Sequence, residues 1–288
     1  MSELKSKIDF IVLVSVNMAN SNGDPLDGNR PRTTYDGYGE ISDVCIKRKL
    51  RNRMQDMGHP IFVQSQDRCD DGCTSLSDRA AKNLKNAGSS EAYALEACGK
   101  WLDVRSFGQV FAFKGKKGKK ASEDESGVSV GVRGPVSVRQ AVSVSPVEVM
   151  SMQITKSVNG EEAEKRGSDT MGMKHMVRFG LYTIKGSINV QLAKKTRFSE
   201  DDAQVIKECL RTLFVNDTSS ARPEGSMEVL KVYWFRHNSE DGRYSSARVH
   251  RSLHIDLKDG VEYPSSPDDY VISLDELPEL EVEVLEGV

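Results

Sequence analysis

The sequence predicts an α+β fold built on the order strand, helix, strand, strand, helix, strand, and three observations predict it. The run IDFIVLVSV at residues 8–16 is apolar and β-branched, as a central strand requires. Ile46, Leu50, Met54 and Met57 recur at helical spacing beside a dense set of cations. A second helical stripe, Ala203, Ile206, Leu210 and Leu213, lies between further extended runs.

Taken in order, Asp9 interrupts the first run, and nine residues are too few to span a bilayer, so residues 8–16 read as a buried strand rather than a targeting or membrane segment. Asn17 to Ile41 carries NGDP at 22–25, then Asp27, Gly28, Pro31, Gly37 and Gly39, which is turn chemistry and predicts a long ordered loop. A helix starts at Ser42 or Asp43, either of which can accept a first-turn N–H, and runs to Met57 with Lys47, Arg48, Lys49, Arg51 and Arg53 on its remaining surface. Residues 58–100 read as a helical insertion with short helices at 77–87 and 90–98. After Phe113, the lysines and glycines of KGKKGKKASEDESG bury too little apolar area to order a chain.

The second half predicts strands at 147–155, 177–192 (there, a strand or hairpin) and 227–236, with a polar excursion between the first two. A helix follows Ser199, whose spacing to Asp202 suits a capping box. Without the insertions this is the split βαβ order of ferredoxin-like folds, shared with RNA-recognition modules. The palm is therefore residues 1–57 and 101–288, with 58–100 inserted and a hairpin at about 153–176.

Charge is divided unevenly along the chain. From Ile255 onward there are eleven acidic residues and one lysine, which leaves 39 basic against 32 acidic residues before it, although the whole carries −3. A basic body suits a polyanionic partner, and the acidic end is either a solvated tail or docks on a positive surface. Five unpatterned cysteines fit a reducing compartment, and the protein reads as cytoplasmic, with no membrane partner.

No P-loop, nucleophile elbow or HExxH is present, Cys69 and Cys73 have no second pair, and the five histidines share no spacing. No catalytic residue, metal or cofactor is expected. His250 and His254 read as parts of a partly exposed strand. Asp24, Asp27 and Asp36 read as turn formers that could in principle hold Mg²⁺ or align a ribose hydroxyl. The residues suited to a phosphate backbone are Arg30 and Arg32 in the loop and Lys47, Arg48 and Arg51 on the rigid helix, because neutralised phosphates contribute affinity without reading sequence. The excursion adds Lys156, Lys165, Arg166, Lys174 and His175, with Met171 and Met173 as apolar side chains able to wedge between stacked bases.

Seven stretches together resemble the Cas-seven backbone subunits of type I CRISPR surveillance complexes (Cascade), closest to subtype I-C. They are NMANSNGDP (17–25), GNRPR (28–32), SDVCIKRKLR (42–51), DVRSFG (103–108), VRGP (132–135), TMGMKH (170–175) and FGLY (179–182). The resemblance implies a hand-like architecture with a ferredoxin-like palm, a helical finger and a thumb hairpin. It implies copies assembled head to tail along a CRISPR guide RNA, an open heterologous arrangement, each thumb displacing one base. Target DNA would be reached through guide pairing. The implied protein partners are Cas-five, Cas-eight and small-subunit types and a recruited helicase-nuclease.

Carried onto this chain, Ser42, Lys47, Arg48 and Arg51 would hold the guide, with Arg30 and Arg32 nearby and Arg139 and Gln140 after the Gly134-Pro135 turn. Met171 or Met173 would be the wedge, beside Lys174. Related type III subunits cut target RNA with a loop aspartate, for which Asp24 or Asp36 would stand here.

Overall fold

The computed structural model describes residues 2–85, 89–112, 129–155 and 171–288. The first apolar run forms β1 (Ile8–Ala19), in which every residue through Val16 is buried. The expected loop after it contains three short strands, β2 (Gly23–Asp24), β3 (Arg30–Pro31) and β4 (Tyr38–Ile41), because its turns fold back on one another. Helix α1 (Asp43–Asp56) is capped by Ser42, whose Oγ accepts the Cys45 N–H at 3.2 Å. Its buried face is Ile46, Leu50 and Met54, as the periodicity predicts, but also Lys49, which pairs with Asp217 instead of facing solvent.

The inserted region holds α2 (Leu76–Asn83) and α3 (Ser90–Lys100), followed by α4 (Leu102–Phe107) and a hairpin of β5 (Gly108–Ala112) and β6 (Ser129–Arg133). These last three elements are absent from the periodicity, since six- and five-residue segments are too short to show one. Phe62, Tyr93, Trp101, Val104, Phe111 and Val130 form a core of their own, so the core of the insertion extends past residue 100. The lysine loop 114–120 lies outside the described residues.

Next come β7 (Val136–Val138), β8 (Ala141–Pro146) and β9 (Val149–Thr155), then the long β10 (Met171–Ile188). Two expectations are corrected here. Met171 to Met176, placed in the polar excursion before a strand starting at 177, already belong to that strand, because they pair in register with β9 from Met171↔Thr155 to Val177↔Val149. The strand expected to reach Leu192 ends at Ile188, where Asn189 caps α5 (Val190–Thr196) by accepting the Leu192 N–H at 2.8 Å. Helix α6 (Glu200–Arg211) has the full Ser199/Asp202 capping box, and β11 (Met227–Arg236) follows as predicted.

The remaining elements are α7 (Ser246–His250), β12 (Leu253–Leu257), β13 (Tyr270–Leu274) and β14 (Glu281–Glu286). His250 is therefore buried in a helix, and of that pair His254 alone lies on a strand. The acidic end is neither a free tail nor a simple docking arm: β14 pairs with β11, and Glu283 and Glu286 meet Lys207 and Lys231.

Among the described residues the main sheet is antiparallel, ordered β14-β11-β1-β10-β8-β4, with β7 and β9 pairing other parts of β10. One face buries Phe10, Val12, Val14, Val16, Ile184 and Trp234 against α1 and α6. The other buries Ile11, Leu13, Phe179 and Leu181 under α7 and the β12–β13 hairpin. Alternation between the faces shifts at Met18, whose φ of 51° is left-handed. Beyond that point Ala19 and Val177 join the helix-side core although their parity matches Phe179 on the other face.

Candidate nucleic-acid interface

The site is built where the loop 17–41 meets the β9–β10 ribbon. Asn20 Nδ2 donates to Asn29 O at 2.7 Å, and the Asn29 and Arg30 N–H groups close turns onto Asp24 O and Asp27 O. Asn29 sits in the left-handed region at φ 61°, a conformation that asparagine tolerates better than most residues. This aims Arg30 at the ribbon: its Nη1 donates to Ser151 Oγ at 3.1 Å, and that hydroxyl meets His175 Nδ1 at 2.8 Å. Arg30 and His175, 145 residues apart in the chain, thus share one hydroxyl.

Arg32 is held by Asp24, Nη2 to Oδ1 at 3.2 Å, and the same oxygen accepts the Leu26 N–H at 3.1 Å. Asp24 is thereby a turn former, and Asp36 is exposed on the same loop. Asn22 Oδ1 accepts the Ser42 N–H at 2.9 Å, which ties the loop to the start of α1.

The cations of α1 are more committed than an amphipathic helix suggests. Lys47 pairs with Asp43 at 3.0 Å on the surface. Arg48 Nη1 donates to Val63 O at 2.7 Å; burial, helped by the neighbouring Arg51, lowers its pKa from the usual guanidinium value. Arg51 Nε donates to Asp103 Oδ2 at 2.9 Å and its guanidinium lies over the Phe107 ring. Asp103 is fully buried and also accepts the Phe62 and Val63 N–H groups, at 2.7 and 3.0 Å. Arg48 and Arg51 therefore join α1 to the start of the insertion, with their outer edges turned to solvent.

The ribbon presents apolar side chains on both faces. Met171 and Met173 are 66% and 55% exposed and stand on the helix-side face with Gln153, whose Nε2 lies 2.8 Å from Met171 Sδ. On the opposite face Met152 and Ile154, 47% and 48% exposed, flank the half-exposed Lys174. Four large apolar side chains left in water on one two-stranded ribbon form a contact surface. Lys156, Lys165 and Arg166 lie outside the described residues.

Arg139 and Gln140 are exposed between β7 and β8. Gln140 bonds Glu40 on β4, close to Ser42, whereas Arg139 lies beside Lys185 at the far end of β10 from the ribbon. The structure thus groups Arg30, His175, Met171, Met173 and Lys174, ties Arg32 and Ser42 to them through the loop, and sets Lys47, Arg48 and Arg51 along α1 toward the insertion. Sequence reasoning misses Ser151, Asn22 and Asp103, which orient these groups. Of the three only Asn22 carries a local signal, as part of its NGDP turn.

Among the described residues no group of three or more His, Cys, Asp or Glu could hold a metal ion, and no helix is long and apolar enough to cross a membrane.

A family model described as CRISPR-associated protein Cas7 matches residues 6–275. A Haloferax volcanii protein described in the same words is 27% identical over 299 residues, covering 98% of this chain and 84% of its own. Among solved structures, a chain of a "CRISPR RNA-guided surveillance complex, pre-nicking" shares the fold with a TM-score of 0.52 and 15% identity, over 89% of this chain and 84% of that one. A chain of another "CRISPR RNA-guided surveillance complex" gives 0.47 at 17% identity, over 89% and 78%.

Proposed function

The chain belongs to the CRISPR-associated protein Cas7 family, and from that premise we propose that it is a guide-RNA-binding backbone subunit of a type I surveillance complex, of subtype I-C. The observation that carries this reading is the Arg30–Ser151–His175 knot at the root of a ribbon that leaves Met171 and Met173 in solvent. Cations fixed by hydrogen bonds grip a phosphate backbone without reading its sequence, and an exposed apolar pair at the edge of that grip displaces a base.

The order β11-β1-β10-β8, with α1 and α6 on one face, supports a ferredoxin-like palm; the insertion after α1 is then the finger and the β9–β10 ribbon the thumb. Copies line up head to tail on the guide, in a cytoplasmic particle that also holds Cas-five, Cas-eight and small subunits. The guide selects target DNA by pairing, and a recruited helicase-nuclease does the cutting. This chain itself is not an enzyme: Asp24, the loop aspartate nearest the grip, is engaged by Arg32 and the Leu26 N–H.

Expression with and without a CRISPR array tests the reading. Co-purification of a guide of fixed length in a large particle is expected; a free monomer without RNA would sink it. Cleavage of target RNA that disappears in Asp24→Asn or Asp36→Asn would replace it with a type III-like activity.

A further inference from the structure

We propose that Arg139 and Lys185 form a second phosphate-binding site, which takes the backbone of a nucleic-acid strand other than the guide. The two residues are neighbours at the end of a ladder. Val138 pairs with Gly186 between β7 and β10, and one step further the Arg139 N–H donates to the Lys185 carbonyl at 2.8 Å. Like charges brought together across neighbouring strands destabilise a sheet. Something must compensate them.

Nothing in the described part of the chain does so, since neither residue makes an ion pair there. The buried acid on the same face, Asp9, is taken by Lys7 at 3.2 Å and His237 at 2.8 Å. Lys185 is half-buried, and burial together with the Arg139 charge pulls its pKa down from the usual ammonium value. Beside them His250 donates Nε2–H to Gly186 O at 3.0 Å, and burial lowers its pKa, which favours the neutral ring and leaves Arg139 and Lys185 as the cations of the site. A guanidinium fork and an ammonium close enough to feel each other's charge suit the oxygens of a phosphate backbone.

The site is separate from the Arg30 grip. Lys185 is ten residues along β10 from His175, about 33 Å at the rise of a strand. It also faces the side of the sheet that carries Ile11, its partner on β1, whereas the shift at Met18 puts Val177, and with it His175 and Met173, on the helix side. A strand gripped at Arg30 does not reach Lys185 by the same phosphates. The inference rests on the proposed function, because a guide-carrying particle meets a second strand whenever the guide pairs with one member of a duplex.

The test uses the full chain in its guide-loaded particle, with fluorescence anisotropy of a fluorescein-labelled single-stranded DNA not complementary to the guide, from about 50 to 200 mM salt. Lys185→Gln and Arg139→Gln are each expected to weaken that binding about three- to tenfold at low salt, and to reduce the slope against log salt by about 0.7, with guide content unchanged. Arg139 is exposed, so its variant reports even if Lys185→Gln folds poorly. Unchanged binding in the two variants overturns the proposal. So does loss of guide, which would assign the pair to the guide grip, and so does dissociation of the particle, which would assign it to a contact between copies. If the wild type carries no guide, the proposed function fails, while the same titration on the bare chain still decides whether these residues hold a phosphate.

Discussion

Arg51 Nε meets Asp103 Oδ2 at 2.9 Å, and that carboxylate, fully buried, also accepts the Phe62 and Val63 N–H groups. Removing the acid orphans a half-buried guanidinium and two backbone donors together. Asp103→Ala is expected to cost about 3–5 kcal/mol, and Asp103→Asn, which keeps one acceptor, about 1–3 kcal/mol. Urea unfolding measures both, and an Asp103→Ala protein as stable as the parent would deny the ion pair its role.

That pair separates two kinds of RNA-binding variant. Arg30→Gln breaks only exposed interactions, the bond to Ser151 and the 4.0 Å pair with Asp27, so guide retention should fall and its salt slope flatten by about 0.7 with the melting temperature unchanged. Lys47→Ala with Arg51→Ala should also weaken guide retention for every sequence, but with a loss of stability traceable to Asp103. Salt-gradient elution of bound RNA beside thermal melts resolves the two; equal retention in both variants would remove α1 and the loop from the grip.

Met171→Ala with Met173→Ala removes exposed apolar surface and leaves the Arg30–Ser151–His175 knot in place. Guide affinity should change less than about threefold while base displacement is lost. The fluorescence of 2-aminopurine placed along the guide reads this directly: periodic bright positions in the parent should become uniform in the variant.

Stability should fall with acid in two steps. Burial chiefly, with Lys185 and Arg139 adding to it, holds the His250 pKa below 6.5, so the unfolded chain takes that proton first. Its contribution is whole above about pH 6.5 and declines as pH falls through that value toward the folded pKa. Burial pulls the Asp9 pKa up, but the hydrogen bonds from His237 and Ser246 and the charge of Lys7 outweigh it and leave the pKa lowered. Its contribution is present above about pH 4 and lost as pH falls through the folded value. The exposed His254, raised by Asp275, acts in the opposite sense, so the comparison is made by variants. His250→Gln should flatten the upper step and Asp9→Asn the lower one in urea titrations across pH; unaltered profiles would refute the assignment.

Where local chemistry decides, the sequence is readable. Ser42 and Ser199 cap the helices they are spaced to cap, and the stripes of α1 and α6 are buried. Lys49 is not readable, because only the fold brings Asp217, 168 residues away, against it. The same holds for Arg51 and Asp103, and for Ser151, a small polar residue in an apolar strand whose meaning comes from Arg30. The C-terminal strands are hidden for another reason. Their acidic composition suggests a tail, whereas the apolar positions Ile255, Leu257, Tyr270 and Ile272 pack on Leu13, Phe179 and Leu181.

That hairpin has a bearing on biosynthesis. Leu13 and Leu181 are fully buried beneath residues that leave the ribosome only after β1, β10 and β11 have emerged. Each such leucine left in water forgoes roughly 1.5–3 kcal/mol, so a nascent chain halted before residue 253 displays a sticky sheet face, an open invitation to chaperones and proteases. Closure of this face of the sheet thus waits for residues 253–274, and chains cut short before them keep the apolar face that directs them to removal.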